Sequence, residues 1–136
     1  MIDMILWENY KKIRFIAPFE PPPWPAFAII TAWNPASQPV SERRNLRRER
    51  ALWRQLEGES VAGPLWGSSP DEQWRESSLA VALPLARACE LAVRFGQNAL
   101  YWVEEGQLWL VPVLIENTAV CLGNIESYWI ARTPIR

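Results

Sequence analysis

Hydrophobic and polar positions switch between two periods along this chain. Phe27 to Trp33 is an almost unbroken run of apolar, β-branched and aromatic residues that stops at Asn34-Pro35, which predicts a buried strand ending in a turn. A helical period takes over at Ser41. Ser41 is a natural cap, the pattern runs for about four turns to Glu57, and Gly58 supplies the stop. Val61 to Trp66 reads as a second strand, and Ser68-Ser69-Pro70-Asp71-Glu72 as turn chemistry. Ser78 to Leu83 reads as a third strand, followed by a helix that begins at Pro84, ends at Phe95 and is stopped by Gly96. On that helix Arg87, Glu90 and Arg94 form the exposed stripe, so the rest faces a sheet. Asn98 to Val103 and Gln107 to Val113 form a hairpin around Glu104-Glu105-Gly106, and Ala119 to Leu122 is a last strand. From Ile125 the tail is aromatic without a clear period.

Ahead of these elements, residues 18–25 (Pro-Phe-Glu-Pro-Pro-Pro-Trp-Pro) can be neither helix nor central strand, since each proline removes a donor and fixes one backbone angle. They read as a stiff loop with Trp24 packed down, rather than as a polyproline ligand. The expected division is an N-terminal segment with this loop over residues 1–25 and one domain over 26–136. In order, the elements read β-α-β-β-α-β. This is the split pattern of a ferredoxin-like α+β sandwich: a mainly antiparallel sheet, two helices on one face and an added C-terminal hairpin strand.

The helix that starts at Ser41 is the most informative segment. Arg43, Arg44, Arg47, Arg48, Arg50 and Arg54 are expected on the side opposite Leu46, Leu52, Trp53 and Leu56. Pairs such as Arg43/Arg47 and Arg50/Arg54 repel by a few tenths of a kcal/mol each, at roughly the (i, i+4) spacing. The six arginines are therefore candidates to face an anion, against the plainer reading of a solvated charged side. Asn45 and Glu49 fall on the apolar side, where a carboxylate and an amide need partners. They either anchor a loop, with Asn34 as a natural neighbour, or line a pocket. In the loop before the third strand, Asp71 and Glu76 are candidates for an acid/base pair, and Gln97 and Asn98 follow the second helix as candidate ligand donors and acceptors.

Composition narrows the chemistry. The 136 residues suit one ordinary domain. Histidine is absent, which excludes a Ser-His-Asp triad, a Cys-His dyad and any histidine-containing zinc site, while two cysteines are too few for a cysteine-only zinc site. No metal or cofactor is expected. Cys89 and Cys121 read as reduced core residues. The net charge of −1 leaves basic character local rather than general. The opening residues lack a basic leader and no run reaches membrane-spanning length, so a cytoplasmic protein without a membrane partner is expected. Nine tryptophans exceed what such a domain usually buries, which makes a homo-oligomer or protein partner plausible.

Several of these stretches also carry a resemblance. Ile30-Thr31-Ala32-Trp33-Asn34-Pro35, Ser41 through Asn45 and on to Arg48, Ser69-Pro70-Asp71 with Trp74, Glu76 and Ser78, then Ala92 and Arg94-Phe95-Gly96-Gln97-Asn98-Ala99, together resemble the bacterial domain-of-unknown-function family 3293. The resemblance spans roughly residues 26–103. It departs in the Pro-rich opening and the Trp-rich tail, and it implies no established activity.

The leading expectation is a small non-catalytic binding or regulatory module that engages a ligand or partner through Asn34, Asn45, Glu49, Gln97 and Asn98 or through the arginine face. The alternative is an enzyme acting on a phosphorylated or nucleotide-like substrate, with Glu49, Asp71 or Glu76 as acid/base and arginines on phosphate. That alternative requires a carboxylate and an arginine in one concave pocket. A nucleic-acid accessory role is a third reading.

Overall fold

A computed structural model describes residues 2–132; Met1 and the last four residues of the expected 26–136 domain lie outside the described residues. The elements in chain order are α1 (Ile2–Tyr10), β1 (Arg14–Ala17), β2 (Ala26–Thr31), α2 (Glu42–Gln55), β3 (Ser60–Ser68), β4 (Arg75–Ala82), α3 (Leu85–Arg94), β5 (Ala99–Glu104), β6 (Gln107–Pro112), β7 (Val120–Asn124) and β8 (Trp129–Ala131). Among the described residues this is an α+β fold with three helices and one eight-stranded sheet, ordered β7-β6-β5-β2-β4-β3-β1-β8.

The expected β-α-β-β-α-β run occurs from β2 to β5, whose strands lie side by side as β5-β2-β4-β3, antiparallel throughout. The rest departs from a simple ferredoxin-like sandwich. The sheet continues through β6 and β7 on one side and through β1 and β8 on the other, and β8 pairs with β1 in parallel. Residues 1–25, expected as a segment and a loop, supply both α1 and a strand of this sheet.

Chain connectivity curls the sheet. Seven inter-strand steps in a flat sheet would place β7 and β8 roughly 34 Å apart. Only the short turn at Ile125–Ser127 and Tyr128 joins them, and even extended it would reach at most about 17 Å. The two edges must therefore swing toward each other, and the ring contacts record it. Phe15 of β1 meets Tyr101 of β5 edge-on at 5.1 Å, across the concave side of the sheet.

Each face has its own apolar core, which is why β2 reads as an unbroken apolar run. Ala28, Ile30, Leu79, Val81, Leu100 and Trp102 face α2 and α3, meeting Leu52, Leu56, Leu91 and Phe95. Phe15, Phe27, Ile29, Ala80, Val103 and Trp129 fill the concave side. Trp7 seats α1 against Leu110 and Ile115.

The local signals act as chemistry requires. The Ser41 hydroxyl accepts from the Arg44 N–H at 3.2 Å, and α2 ends at Gln55, two residues before the expected Glu57. The hairpin turn places Glu105 and Gly106 at φ of 50° and 77°, as a tight hairpin demands. Trp24 packs onto Phe27, with ring centroids 5.9 Å apart.

The structure departs from three expectations. The inward stripe of α2 is Asn45, Arg48, Glu49, Leu52 and Leu56, whereas Leu46 and Trp53 point outward at 41% and 36% exposure. Arg48 does not join the outer arginines. Its guanidinium turns in and donates to the carbonyls of Ala32 and Phe95, closing the C-terminal end of α3. Cys121, expected in the core, is exposed on β7, and Cys89 is half-buried.

Candidate functional site

A large concavity lies at one end of the curled sheet, where β2 and β3 finish and β1, β4 and β5 begin. Its volume is about 760 Å³, within the range of small-molecule sites. Phe15, Ile29 and Tyr101 form the apolar floor, α1 covers one side with Leu6 and Tyr10, and the loop from Ser69 to Trp74 forms the other.

Polar side chains gather on one wall. The Tyr10 hydroxyl lies 2.6 Å from the Ser37 hydroxyl and accepts from Asn98 Nδ2 at 3.0 Å. The buried Tyr101 hydroxyl donates to the Tyr10 carbonyl at 2.6 Å, tying the end of α1 to β5; burial holds that phenol well above its ordinary pKa. Glu76 lines the same cavity. Its half-buried carboxyl is pushed up to about 7 by desolvation, against hydrogen bonds from Asn34 and Trp74 that favour the charged form.

Asp71 occupies the rim and behaves differently. It accepts from the Ser69 hydroxyl at 2.6 Å and from the Gln73 N–H at 3.1 Å, and these bonds hold its carboxyl below the ordinary range. Two carboxyls on one cavity thus have their protonation pushed apart.

The remaining candidates build the wall from behind. Asn34 and Asn45 bond reciprocally: the Asn34 N–H donates to Asn45 Oδ1 and Asn45 Nδ2 donates to Asn34 Oδ1, both at 2.9 Å. Asn34 also accepts from the Val40 N–H and sends its own Nδ2 to Glu76 at 3.1 Å. Glu49 accepts from the Trp33 indole at 3.0 Å and does not reach the cavity. Gln97 is buried at its edge and donates to the carbonyls of Trp33 and Phe95. Gly96, at φ of 69°, lets Pro35 approach so closely that an added Cβ would sit 3.2 Å from the proline Cβ.

Of the seven ligand candidates, Asp71, Glu76, Gln97 and Asn98 line the cavity; Asn34, Asn45 and Glu49 do not. Among the described residues no arginine lines it, and the charged side chain opposing the acids is Lys12, exposed at the mouth. Arg43, Arg44, Arg47, Arg50 and Arg54 lie on the exposed side of α2. Tyr10, Ser37, Thr31 and Trp74 are lining residues that sequence reasoning missed as ligand contacts. Only Trp74 carried a signal, as an aromatic among polar loop residues.

The stretches around Trp33-Asn34-Pro35, Asn45 and Arg48, Asp71 to Glu76, and Phe95-Gly96-Gln97-Asn98 are distant in sequence and meet here. The family described as "Protein of unknown function (DUF3293)" matches residues 30–100, which contain all of them. The chain belongs to this family. No curated protein and no solved structure matches the chain. The family's matched span supplies the rear wall and the acidic loop, whereas α1 and β1, outside that span, supply Tyr10 and Phe15 to the same cavity.

Arg48 offers a test of this wall. Arg48→Met keeps most of the stem but strands two carbonyls, and stability should fall by about 2 kcal/mol. A fall in the urea midpoint with Arg48→Lys recovering only part of it is the expected result, because an ammonium cannot span both acceptors in one plane.

Proposed function

We propose that the protein is a small-molecule binding module whose ligand sits in the 760 Å³ cavity with a cationic or N–H-rich group at Glu76 and Asp71 and an apolar body against Phe15, Ile29, Tyr101 and Trp74. What carries this reading is the pairing of one largely apolar, open-mouthed cavity with two carboxyls and few opposing charges on its walls. An arginine-held phosphate finds no support in that lining, so the phosphorylated-substrate reading is set aside. Catalysis is a second reading, favoured by the opposed protonation of Asp71 and Glu76. It predicts turnover of whatever binds.

The sign of the pH dependence follows from Glu76. Its carboxyl ionises near 7 in the fold rather than at its ordinary 4.5, so between these values the folded chain holds a proton that the unfolded chain has released. Stability therefore declines as pH rises through this window, by on the order of 2 kcal/mol for a half-buried group. Glu76→Gln should flatten that decline.

Ligand binding runs the other way, because a cation is held better by the ionised carboxyl. Melting-temperature screens with a panel of small amines, guanidines and neutral amides at pH 6 and pH 8 should find an amine that stabilises the intact chain more at pH 8, and Glu76→Gln should erase that preference. A panel that stabilises at neither pH, or a hit equally strong in Glu76→Gln, defeats the proposal.

A further inference from the structure

The outward side of α2 carries a feature unrelated to the cavity. At about 100° per residue, Arg43/Arg50, Arg47/Arg54 and Leu46/Trp53 form three neighbouring rows, with about 10.5 Å between the members of each row. All four arginines are exposed, and among the described residues none of them forms an ion pair. Leu46 and Trp53 beside them leave 41% and 36% of their surface to solvent. Over Glu42–Gln55 six arginines oppose two glutamates, and the sixth, Arg48, is committed inward.

These observations select an occupant. Like charges at 43/47 and 50/54 repel along the helix, and the single glutamate beside them, Glu42, borders the same shallow concavity as Arg43 and Arg50 without pairing with either, so an external polyanion is the natural counterpart. A two-fold contact of this face with its own copy does not fit, because it would bring one arginine face against another. The exposed indole narrows the choice further. A base can stack on it only if the base's own face is free, which holds for a single strand and not for the interior of a duplex.

We propose that this face binds single-stranded nucleic acid, with Arg43, Arg47, Arg50 and Arg54 on successive phosphates and Trp53, flanked by Leu46, stacked on an unpaired base. Contacts to phosphate set affinity without reading sequence, and the indole accepts any base, so recognition is by strandedness.

Fluorescence anisotropy with end-labelled DNA and RNA single strands of about 20 nucleotides, and with duplexes of equal length, tests this directly. The intact chain should bind single strands saturably, with log K falling against log salt at a slope of about −3 if all four arginines contact phosphate. The double variant Arg47→Glu/Arg50→Glu should weaken binding at least tenfold and shrink the slope by about 1.4. Trp53→Ala should weaken binding about tenfold with the slope unchanged. All three positions are exposed, and matching circular dichroism and melting curves establish that each variant is folded. Glu76→Gln, which alters the cavity alone, should leave strand binding untouched, so the two proposals stand or fall separately. The proposal is overturned by absence of binding at 50 mM salt, by duplex bound as well as single strand, by either α2 variant binding normally, or by polyglutamate competing more strongly than the oligonucleotides. The last outcome would reassign the face to an acidic protein.

Discussion

Truncating Phe15 to alanine lowers the unfolding free energy by about 4 kcal/mol, the cost of removing a buried aromatic side chain from a core that cannot collapse around the gap. Phe15 is 1% exposed, and its ring meets Tyr101 at 5.1 Å and Trp129 at 6.0 Å. It therefore joins β1, β5 and β8 across the concave interior, while its main-chain N–H donates to the Tyr128 carbonyl in the turn before β8 at 2.7 Å. Relaxation is limited because the side chain already borders the cavity, so no surrounding layer can move in from that side. Equilibrium urea unfolding is the measurement. A lower midpoint at unchanged m-value supports this account; a loss below about 1 kcal/mol, the scale of a tolerated core swap, means that the curled interior is not held by this ring.

The second large effect is Asn45→Ala, expected to cost about 3 kcal/mol. Asn45 is 3% exposed, and its loss leaves the Asn34 N–H buried with no acceptor while removing the donor to Asn34 Oδ1. Asn34 sits at φ of 44°, a left-handed conformation that persists because these bonds over-determine it. Once that hold is gone, the Asn34 amide no longer supports the Glu76 carboxylate, so the Glu76 pKa should climb further above 7. Thermal unfolding together with the carboxyl titration of Glu76 separates this from simple loss of packing, which would leave the titration unchanged. Asn45→Asp should not restore stability, since a carboxylate can accept from the Asn34 N–H but cannot donate to its side-chain oxygen.

How far the sequence foretold this arrangement depends on the range of the forces involved. Helices α2 and α3, the buried strand β2 and the hairpin at Glu105-Gly106 follow from caps, periods and turn residues within a few positions of one another. Strand β1 does not. Its four residues show no alternation because three are buried, and its partners lie in β3 and β8, far along the chain. Missing β1 and α1 hid one side of the cavity, including Tyr10, whose role depends on contacts with Ser37, Asn98 and Tyr101.

The rotation of α2 shows the same limit at a finer scale. Counting every leucine and tryptophan as inward makes Leu46 and Trp53 core residues, yet the arc that faces the sheet is centred on Asn45, Leu52 and Leu56. Hydrogen bonds that Asn45 and Glu49 accept from Asn34 and Trp33, and that Arg48 donates to Ala32, fix that arc, and a hydrophobicity count is blind to them. The polar candidates at Glu76, Gln97 and Asn98 were legible because they stand at the ends of recognisable elements. Their convergence was not, since it depends on the order of strands in the sheet.

The parallel pairing of β1 with β8 also sets the folding kinetics. Phe15 and Trp129 can meet only after nearly the whole intervening chain has been ordered, because the entropy of closing so long a loop must be met before their contact contributes anything. The seam is therefore expected to form on the downhill side of the barrier, which chevron analysis of Phe15→Ala checks. Weakening it hastens unfolding and leaves the refolding rate nearly unchanged, so the lifetime of the folded molecule is governed where the two ends of the sheet meet.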